Sequence, residues 1–236
     1  ALGGAAHRIA SAVGGGDISH DGRYIALFPL RAERIEFAVV TRDGASTERV
    51  HQLPSQSVYD LPRWAPDDGM VAFHRGQTGS FDDAILIVTV AGGEPKEIAH
   101  GDSLRGLSWL ADGSGVVYGS SFGSTVLYPP AFNLRTVRIR DGAERQLTFG
   151  EASYVEPDVS SSGKLFATRI RSQSDIWEFP TGGSPTDNAR DGVRITRQTG
   201  QSQTPSISPD GKELVYLSDS GGHGQRWVVN IDSSAL

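Results

Sequence analysis

The chain has 236 residues, a formal net charge of −6 and no cysteine. The lack of a thiol excludes disulfide bonds, zinc–thiolate sites and a cysteine nucleophile, and the absence of any Lys/Arg block argues against a nucleic-acid partner. No apolar run approaches the roughly 18 residues of a membrane-spanning helix, and no signal peptide is recognised. Because residue 1 is Ala1 and the one methionine is Met70, we expect the native start to lie upstream.

A short motif recurs five times along the chain, at intervals of about 44 to 50 residues. Its best-formed copy is Ile207-Ser208-Pro209-Asp210-Gly211. The glycines that end the five copies are Gly22, Gly69, Gly113, Gly163 and Gly211. This period is the length of one four-stranded propeller blade, and no helical repeat fits it. The pattern therefore predicts one all-β domain over residues 1–236.

Each copy of the motif predicts a hairpin between the first two strands of a blade. Asp-Gly supplies the positive φ that a tight hairpin needs. The β-rich runs that follow the five turns are 24–28, 71–73, 116–118, 165–167 and 214–216. Third strands are clearest at 84–90, 134–139 and 225–231. Turns such as Gly182-Gly183 then lead to short, polar fourth strands, which suit an outer edge.

The predicted blades follow one another without a break. Their approximate ranges are 15–53, 59–100, 104–149, 154–197 and 203–236, the last completed by residues 1–10. The chain opens with a turn and an outer strand and ends just after a third strand. Pairing of the N-terminal strand with the C-terminal blade would therefore close a β-propeller of five four-stranded blades. Removal of whole blades from a longer parent would leave the same phase, and this alternative stays open.

The segment 204–218, followed by Trp227-Val228-Val229-Asn230, closely resembles the repeats of TolB-like β-propellers. The resemblance covers nearly the whole chain, although the third and fourth copies depart from Ser-Pro-Asp-Gly at 110–111 and 161–162. Such propellers occur as bacterial periplasmic interaction proteins, as sensor-like domains behind kinase or winged-helix domains, and beside a peptidase domain. The resemblance implies a protein-interaction or ligand-sensing module, and it favours a periplasmic or secreted location slightly over the cytoplasm.

Four carboxylates fall on the first strands of three predicted blades. They are Asp17, Asp60, Glu156 and Asp158. First strands surround the central channel of a propeller, where neighbouring acids repel one another by roughly 1 to 4 kcal/mol per pair at about 4 Å. A calcium ion, which prefers six to eight oxygen ligands, would offset this repulsion. The alternative is that Arg63 and Arg105, in the same columns, form ion pairs with the acids.

Two other features bear on function, and one on packing. His20 lies in the inner turn of the first blade, where a histidine suits a general base, with Glu156 as the second catalytic candidate; the alternative is a solvated turn residue. The long apolar segment 121–132 predicts a pocket wall or lid, unless its aromatic residues pack on the outer strand. Trp64 and Trp109 precede the turns and are predicted to be buried between blades.

Two functions of different classes follow. The first is a calcium-dependent hydrolase of small lactones or esters, such as acyl-homoserine lactones, in which the metal polarises the carbonyl and His20 or Glu156 activates water. It rests on analogy with other propellers that hold calcium in the channel. The second is a non-catalytic module that binds a protein partner on its loop face, or senses a ligand, without chemistry. A monomer is expected in both cases.

Overall fold

Strands make up nearly all of the regular structure, as the sequence predicts. The computed structural model describes residues 8–9, 11–31, 34–77, 82–121, 132–149, 152–171, 173–197, 200–218 and 224–231. The chain divides into two units. The first contains the described residues up to 121, then 132–149 and 154–169, and the second contains 152–153 and the described residues from 170 onward. Across the described residues, no helix is long and apolar enough to cross a membrane.

The first unit contains three four-stranded antiparallel sheets. The first sheet consists of β1 (Ala12–Ile18), β2 (Tyr24–Arg31), β3 (Arg34–Thr41) and β4 (Thr47–Gln52). The second consists of β5 (Ser57–Trp64), β6 (Met70–Gln77), β7 (Asp83–Thr89) and β8 (Lys96–Gly101). The third consists of β9 (Leu104–Trp109), β10 (Gly115–Ser121), β11 (Phe132–Arg138) and β12 (Glu144–Gln146). Within each sheet the strands pair in chain order, which is the arrangement predicted for a blade.

The predicted turns between first and second strands are present, with one difference. Gly22 and Gly113 have φ values of +70° and +69°, as a hairpin turn requires. In the second repeat the left-handed residue is Asp68, with φ of 56°, rather than Gly69. The second repeat has one more residue in its turn than the first, and this additional residue takes up the positive φ.

The core of the first unit lies between its sheets. Phe28, Phe37, Tyr59 and Phe73 form an aromatic group between the first and second sheets, within a cluster of buried residues from both. A second cluster, which includes Trp109, fills the space between the second and third sheets. Stacking each sheet on the next buries both faces of the second sheet, as expected of a blade inside a propeller. The predicted burial of Trp64 and Trp109 is confirmed, since they are 3% and 4% exposed.

The fourth repeat differs from the predicted four-stranded blade. The strands β13 (Ser153–Val159) and β14 (Leu165–Ile170) form one two-stranded sheet, and β15 (Trp177–Glu178) and β16 (Val193–Arg194) form another. A short helix, α1 (Pro185–Arg190), lies between β15 and β16, where the sequence predicted a turn at Gly182-Gly183. Ser184 caps the helix by accepting a hydrogen bond from the Asp187 N–H, and Pro185 suits the first helical turn.

The fifth repeat lies in the second unit. Its strands β17 (Ser202–Ile207), β18 (Glu213–Ser218) and β19 (Gln225–Asn230) form a three-stranded sheet among the described residues. Residues 1–7 and 10, which the predicted ring closure requires, lie outside the described residues. The same is true of residues 122–131 in the predicted lid, of which Phe132 is buried at the start of β11. Ring closure and the lid therefore stay predictions.

Candidate functional site

The first strands of the first unit lie beside one another. β1 contacts β5, and β5 contacts β9. A hydrogen bond from Ser108 Oγ to Asp158 Oδ1, 3.3 Å long, joins β9 to β13. We call these four strands the inner-strand row. All four acids predicted as metal ligands lie on this row.

A β-bulge interrupts the first strands at one recurring position. The pairing register shifts between Val13 and Asp17 in β1 and between Asp60 and Arg63 in β5, and similar shifts occur in β9 and in β17 of the second unit. The residues with positive φ at this position are Gly14, Leu61, Gly106, Glu156 and Thr204. A bulge redirects the side chains of a strand, and a non-glycine residue at positive φ is strained. Three of the five residues are not glycine.

Asp17 and Asp60 connect the first two sheets. Asp17 Oδ2 accepts a hydrogen bond from the Trp64 N–H at 2.9 Å. Asp60 Oδ1 accepts one from Gly15 N–H and one from Leu61 N–H, both at 2.7 Å. Both acids are half-buried. Their carboxylates therefore satisfy backbone donors that the bulges remove from regular strand pairing.

Glu156 and Asp158 lie two residues apart on β13, and both are exposed. Asp158 accepts the hydrogen bond from Ser108, whose own Oγ accepts one from Val159 N–H at 3.1 Å. Glu156 Oε2 accepts a hydrogen bond from Thr168 Oγ1 at 3.3 Å. These two acids are thus held by single hydroxyl donors, and they face solvent more than Asp17 and Asp60 do.

The structure tests the fit of these residues to a cation only in part. Within the described part of the chain, no three acidic or histidine side chains are grouped so that they could share a metal ion. The alternative ion pairs are also not formed there, because the Arg63 guanidinium donates to Pro62 O and Arg105 exerts its charge on Asp83. Calcium binding by Asp17, Asp60, Glu156 and Asp158 stays a prediction.

The two tryptophans have a role beyond burial. Trp64 Nε1 donates to Asp17 O at 3.1 Å, and Trp109 Nε1 donates to Arg63 O at 2.8 Å. Asp17 and Arg63 occupy equivalent positions in successive repeats. The indole of one sheet therefore joins the inner strand of the sheet before it, and a buried N–H finds its partner in this way.

His20, the predicted general base, is held by a carboxylate that the sequence analysis missed. Asp68 Oδ1 accepts a hydrogen bond from His20 N–H at 2.8 Å and lies 3.0 Å from His20 Nδ1, while Asp68 Oδ2 accepts from Asp21 N–H at 3.0 Å. The imidazole is exposed. A carboxylate on one ring nitrogen fixes the orientation of a histidine, as in acid–base catalysis, although no nucleophile accompanies this pair among the interactions described. The additional residue in the second turn was the available signal.

A second missed contact joins the second and third sheets. Asp83 Oδ2 accepts a hydrogen bond from Leu104 N–H at 2.9 Å and lies 3.3 Å from His74 Nε2, with both side chains largely buried. Burial by itself raises the pKa of Asp83, but the hydrogen bonds from His74 and Leu104 and the positive charge of Arg105 outweigh it, so the pKa lies below its ordinary value.

Successive antiparallel sheets, each begun by a motif hairpin and stacked on the next, define a protein of the β-propeller class. The TolB beta propeller domain family matches residues 8–236, and the chain belongs to that family. The predicted resemblance to TolB-like propellers is thereby confirmed.

Individual relatives are more distant. The chain is similar to a protein of Agrobacterium fabrum named "Uncharacterized protein Atu1656", with 24% identity over 203 residues that cover 85% of this chain and 64% of that protein. The chain thus spans less than two thirds of that relative. Two solved structures, a putative TolB from Agrobacterium tumefaciens and TolB from Acinetobacter baumannii, each have a TM-score of 0.51. Their identities are 21% and 16%, over 87% and 91% of this chain and 69% and 51% of theirs. These likenesses show the fold.

Proposed function

We propose that the chain is a non-catalytic binding module, which uses the inner-strand row to bind a cation-bearing segment of a partner protein. The observation that carries this proposal is a set of acids held in place by protein donors. Asp17 and Asp60 are fixed by backbone N–H groups, and Glu156 and Asp158 by hydroxyl groups. Fixed carboxylates form a constant pattern of negative charge, which is what selects a partner of opposite charge.

The charge balance of the row supports a basic partner. Four acids and two arginines, Arg63 and Arg105, lie on or beside the bulges, so negative charge is in excess. Glu156 and Asp158 are exposed and can accept further hydrogen bonds from a guanidinium or ammonium group. The strained bulge position adds to this argument, because strained residues concentrate where proteins bind or react.

A binding assay with charge-matched peptides tests the proposal. The probe is a fluorescent Arg-Gly repeat peptide, and a Glu-Gly repeat peptide is the charge-reversed control. We expect the chain to bind the basic peptide alone, with affinity that falls as salt rises. The double variant Glu156→Gln/Asp158→Asn should weaken binding. The matched double variant Asp112→Asn/Asp141→Asn loses the same charge at exposed turns and should not. Equal effects of the two variants would overturn the proposal.

Calcium-dependent hydrolysis of a lactone or ester is the second candidate function. The observation that favours it is the His20–Asp68 pair, since an oriented imidazole suits the activation of water. In this proposal Asp17, Asp60, Glu156 and Asp158 would supply oxygen ligands and the metal would polarise the substrate carbonyl. Cleavage of an acyl-homoserine lactone that stops with a chelator, returns with calcium and is lost in Asp158→Asn would support this candidate. Turnover that is unchanged in His20→Gln would contradict the role of the histidine.

A further inference from the structure

Glu156 has an unfavourable backbone conformation that nothing in the fold requires of a glutamate. Its φ is 53°, in the left-handed region, where glycine is at no disadvantage and other residues are strained. At the same position of the inner-strand row, β1 has Gly14 and β9 has Gly106, with φ of +68° and +64°. Glycine therefore fits this position, and a glutamate there lowers the stability of the fold.

Packing does not compensate for the strain at Glu156. Leu61 has the same conformation in β5, with φ of 54°, but its side chain packs against the buried cluster between the second and third sheets. Glu156 is exposed, and its described side-chain contact is the 3.3 Å hydrogen bond with Thr168 Oγ1, which is at the long end of hydrogen-bond lengths. The strain at Leu61 has a structural explanation, and the strain at Glu156 has none.

The main chain of Glu156 is nevertheless held firmly. A Cβ atom placed on Gly106 would lie 2.6 Å from Glu156 Cα and 2.9 Å from Pro157 Cδ, so β9 and β13 are in direct backbone contact at this point. Pro157 also restricts the residue before it. The carboxylate of Glu156 therefore extends from a fixed anchor, and such an anchor reduces the entropy lost when a ligand binds.

We infer that Glu156 is a specificity-determining residue, which contacts the cationic group of the ligand and is retained at this position for that contact. The inference rests on the proposed binding function. A residue that lowers stability without packing in return is expected where function opposes stability. The ligand group is a guanidinium or ammonium ion, since these donate charge-assisted hydrogen bonds to a carboxylate.

Three variants separate the backbone effect from the charge effect. Glu156→Gly should raise the melting temperature by about 2 °C, as removal of left-handed strain predicts for a chain of this size, and should weaken binding of the Arg-Gly peptide by roughly tenfold. Glu156→Gln should weaken binding without raising the melting temperature. Thr204→Gly, at the equivalent strained position of the second unit with φ of 51°, should raise the melting temperature and leave binding unchanged.

The outcomes distinguish this inference from the proposed function. If the wild-type chain binds the Arg-Gly peptide but Glu156→Gly and Glu156→Gln bind it equally well, the inference is wrong and the binding function stands. If Glu156→Gly lowers the melting temperature, the glutamate has a structural role and the inference is also wrong. If the wild-type chain does not bind the peptide, the proposed function itself fails. Calorimetric melting and fluorescence anisotropy supply the two measurements.

Discussion

The second and fifth repeats have the same hairpin but bury it differently. In both, the residue after the first strand donates to the residue that begins or precedes the second strand: Ala65 N–H to Met70 O, and Ser208 N–H to Glu213 O, each at 2.8 Å. At the position before this hairpin, however, Trp64 is 3% exposed and Ile207 is 61% exposed. Trp64 also bonds to Asp17 on the adjacent sheet. The motif therefore determines the hairpin, whereas burial depends on what the neighbouring sheet offers.

The largest expected effect comes from replacing the buried member of this pair. Trp64→Ala should lower the free energy of unfolding by about 3 to 5 kcal/mol, because it leaves a cavity between the first and second sheets. Ile207→Ala, at the equivalent exposed position, should change it by less than about 0.5 kcal/mol. Urea unfolding followed by circular dichroism measures both. Similar losses in the two variants would show that burial follows the motif rather than the neighbouring sheet.

The next effect concerns the close approach of β9 and β13. Gly106→Ala should lower the free energy of unfolding by about 2 to 4 kcal/mol, because the new methyl group would overlap the Glu156 backbone and alanine is strained at φ of +64°. Gly211→Ala is the matched control in the fifth repeat, with φ of +74° and no atom within 4 Å of the added methyl group.

The control isolates the backbone effect. Gly211→Ala should lower the free energy of unfolding by about 1 to 2 kcal/mol, from the left-handed conformation alone. Equal losses in Gly106→Ala and Gly211→Ala, measured by the same urea titration, would mean that β9 and β13 do not touch as described.

The sequence predicted what is local and missed what joins distant residues. The hairpins, the strands of the first three sheets and the burial of Trp64 follow from the motif and its period. The partners of Asp17 and Asp60 could not be predicted, since their hydrogen bonds connect residues about 45 positions apart in two sheets. The strained conformation of Glu156 was also hidden, because a residue before proline is expected to be extended.

Helix α1 shows a different kind of omission. Ser184 and Pro185 form a recognisable helix start, but the preceding Gly182-Gly183 fitted the turn that the blade pattern required. A regular repeat thus concealed a local signal. The proposed site was found in part: the inner-strand row contains the four predicted acids, whereas Asp68 and Asp83 were not singled out.

The contact between the second and third sheets should depend on pH. The pKa of Asp83 is lower in the folded chain than its ordinary value, so ionised Asp83 adds stability above the unfolded-state pKa of 3.8, and this stability is lost as the pH falls through the folded-state value. Asp83→Asn should lower the free energy of unfolding by about 1 kcal/mol at neutral pH. The difference from wild type should shrink in strong acid. Asp112→Asn is the control, because Asp112 bonds within its own turn and connects no sheets. A difference for Asp83→Asn that is constant from neutral pH into strong acid would contradict this assignment.

The smallest effect tests the additional residue that distinguishes the second repeat from the others. Asp68→Ala removes the acceptor for His20 N–H and Asp21 N–H and keeps a strained φ of 56°, so it should lower the free energy of unfolding by about 1 kcal/mol. Asp68→Gly removes the same acceptor but relieves the strain, so the two effects should nearly cancel. In both variants the amide protons of His20 and Asp21 should exchange faster with solvent, because they lose their acceptor. Unchanged exchange at those two amides would mean that Asp68 does not join the first two turns, and His20 would then lack the carboxylate that orients it.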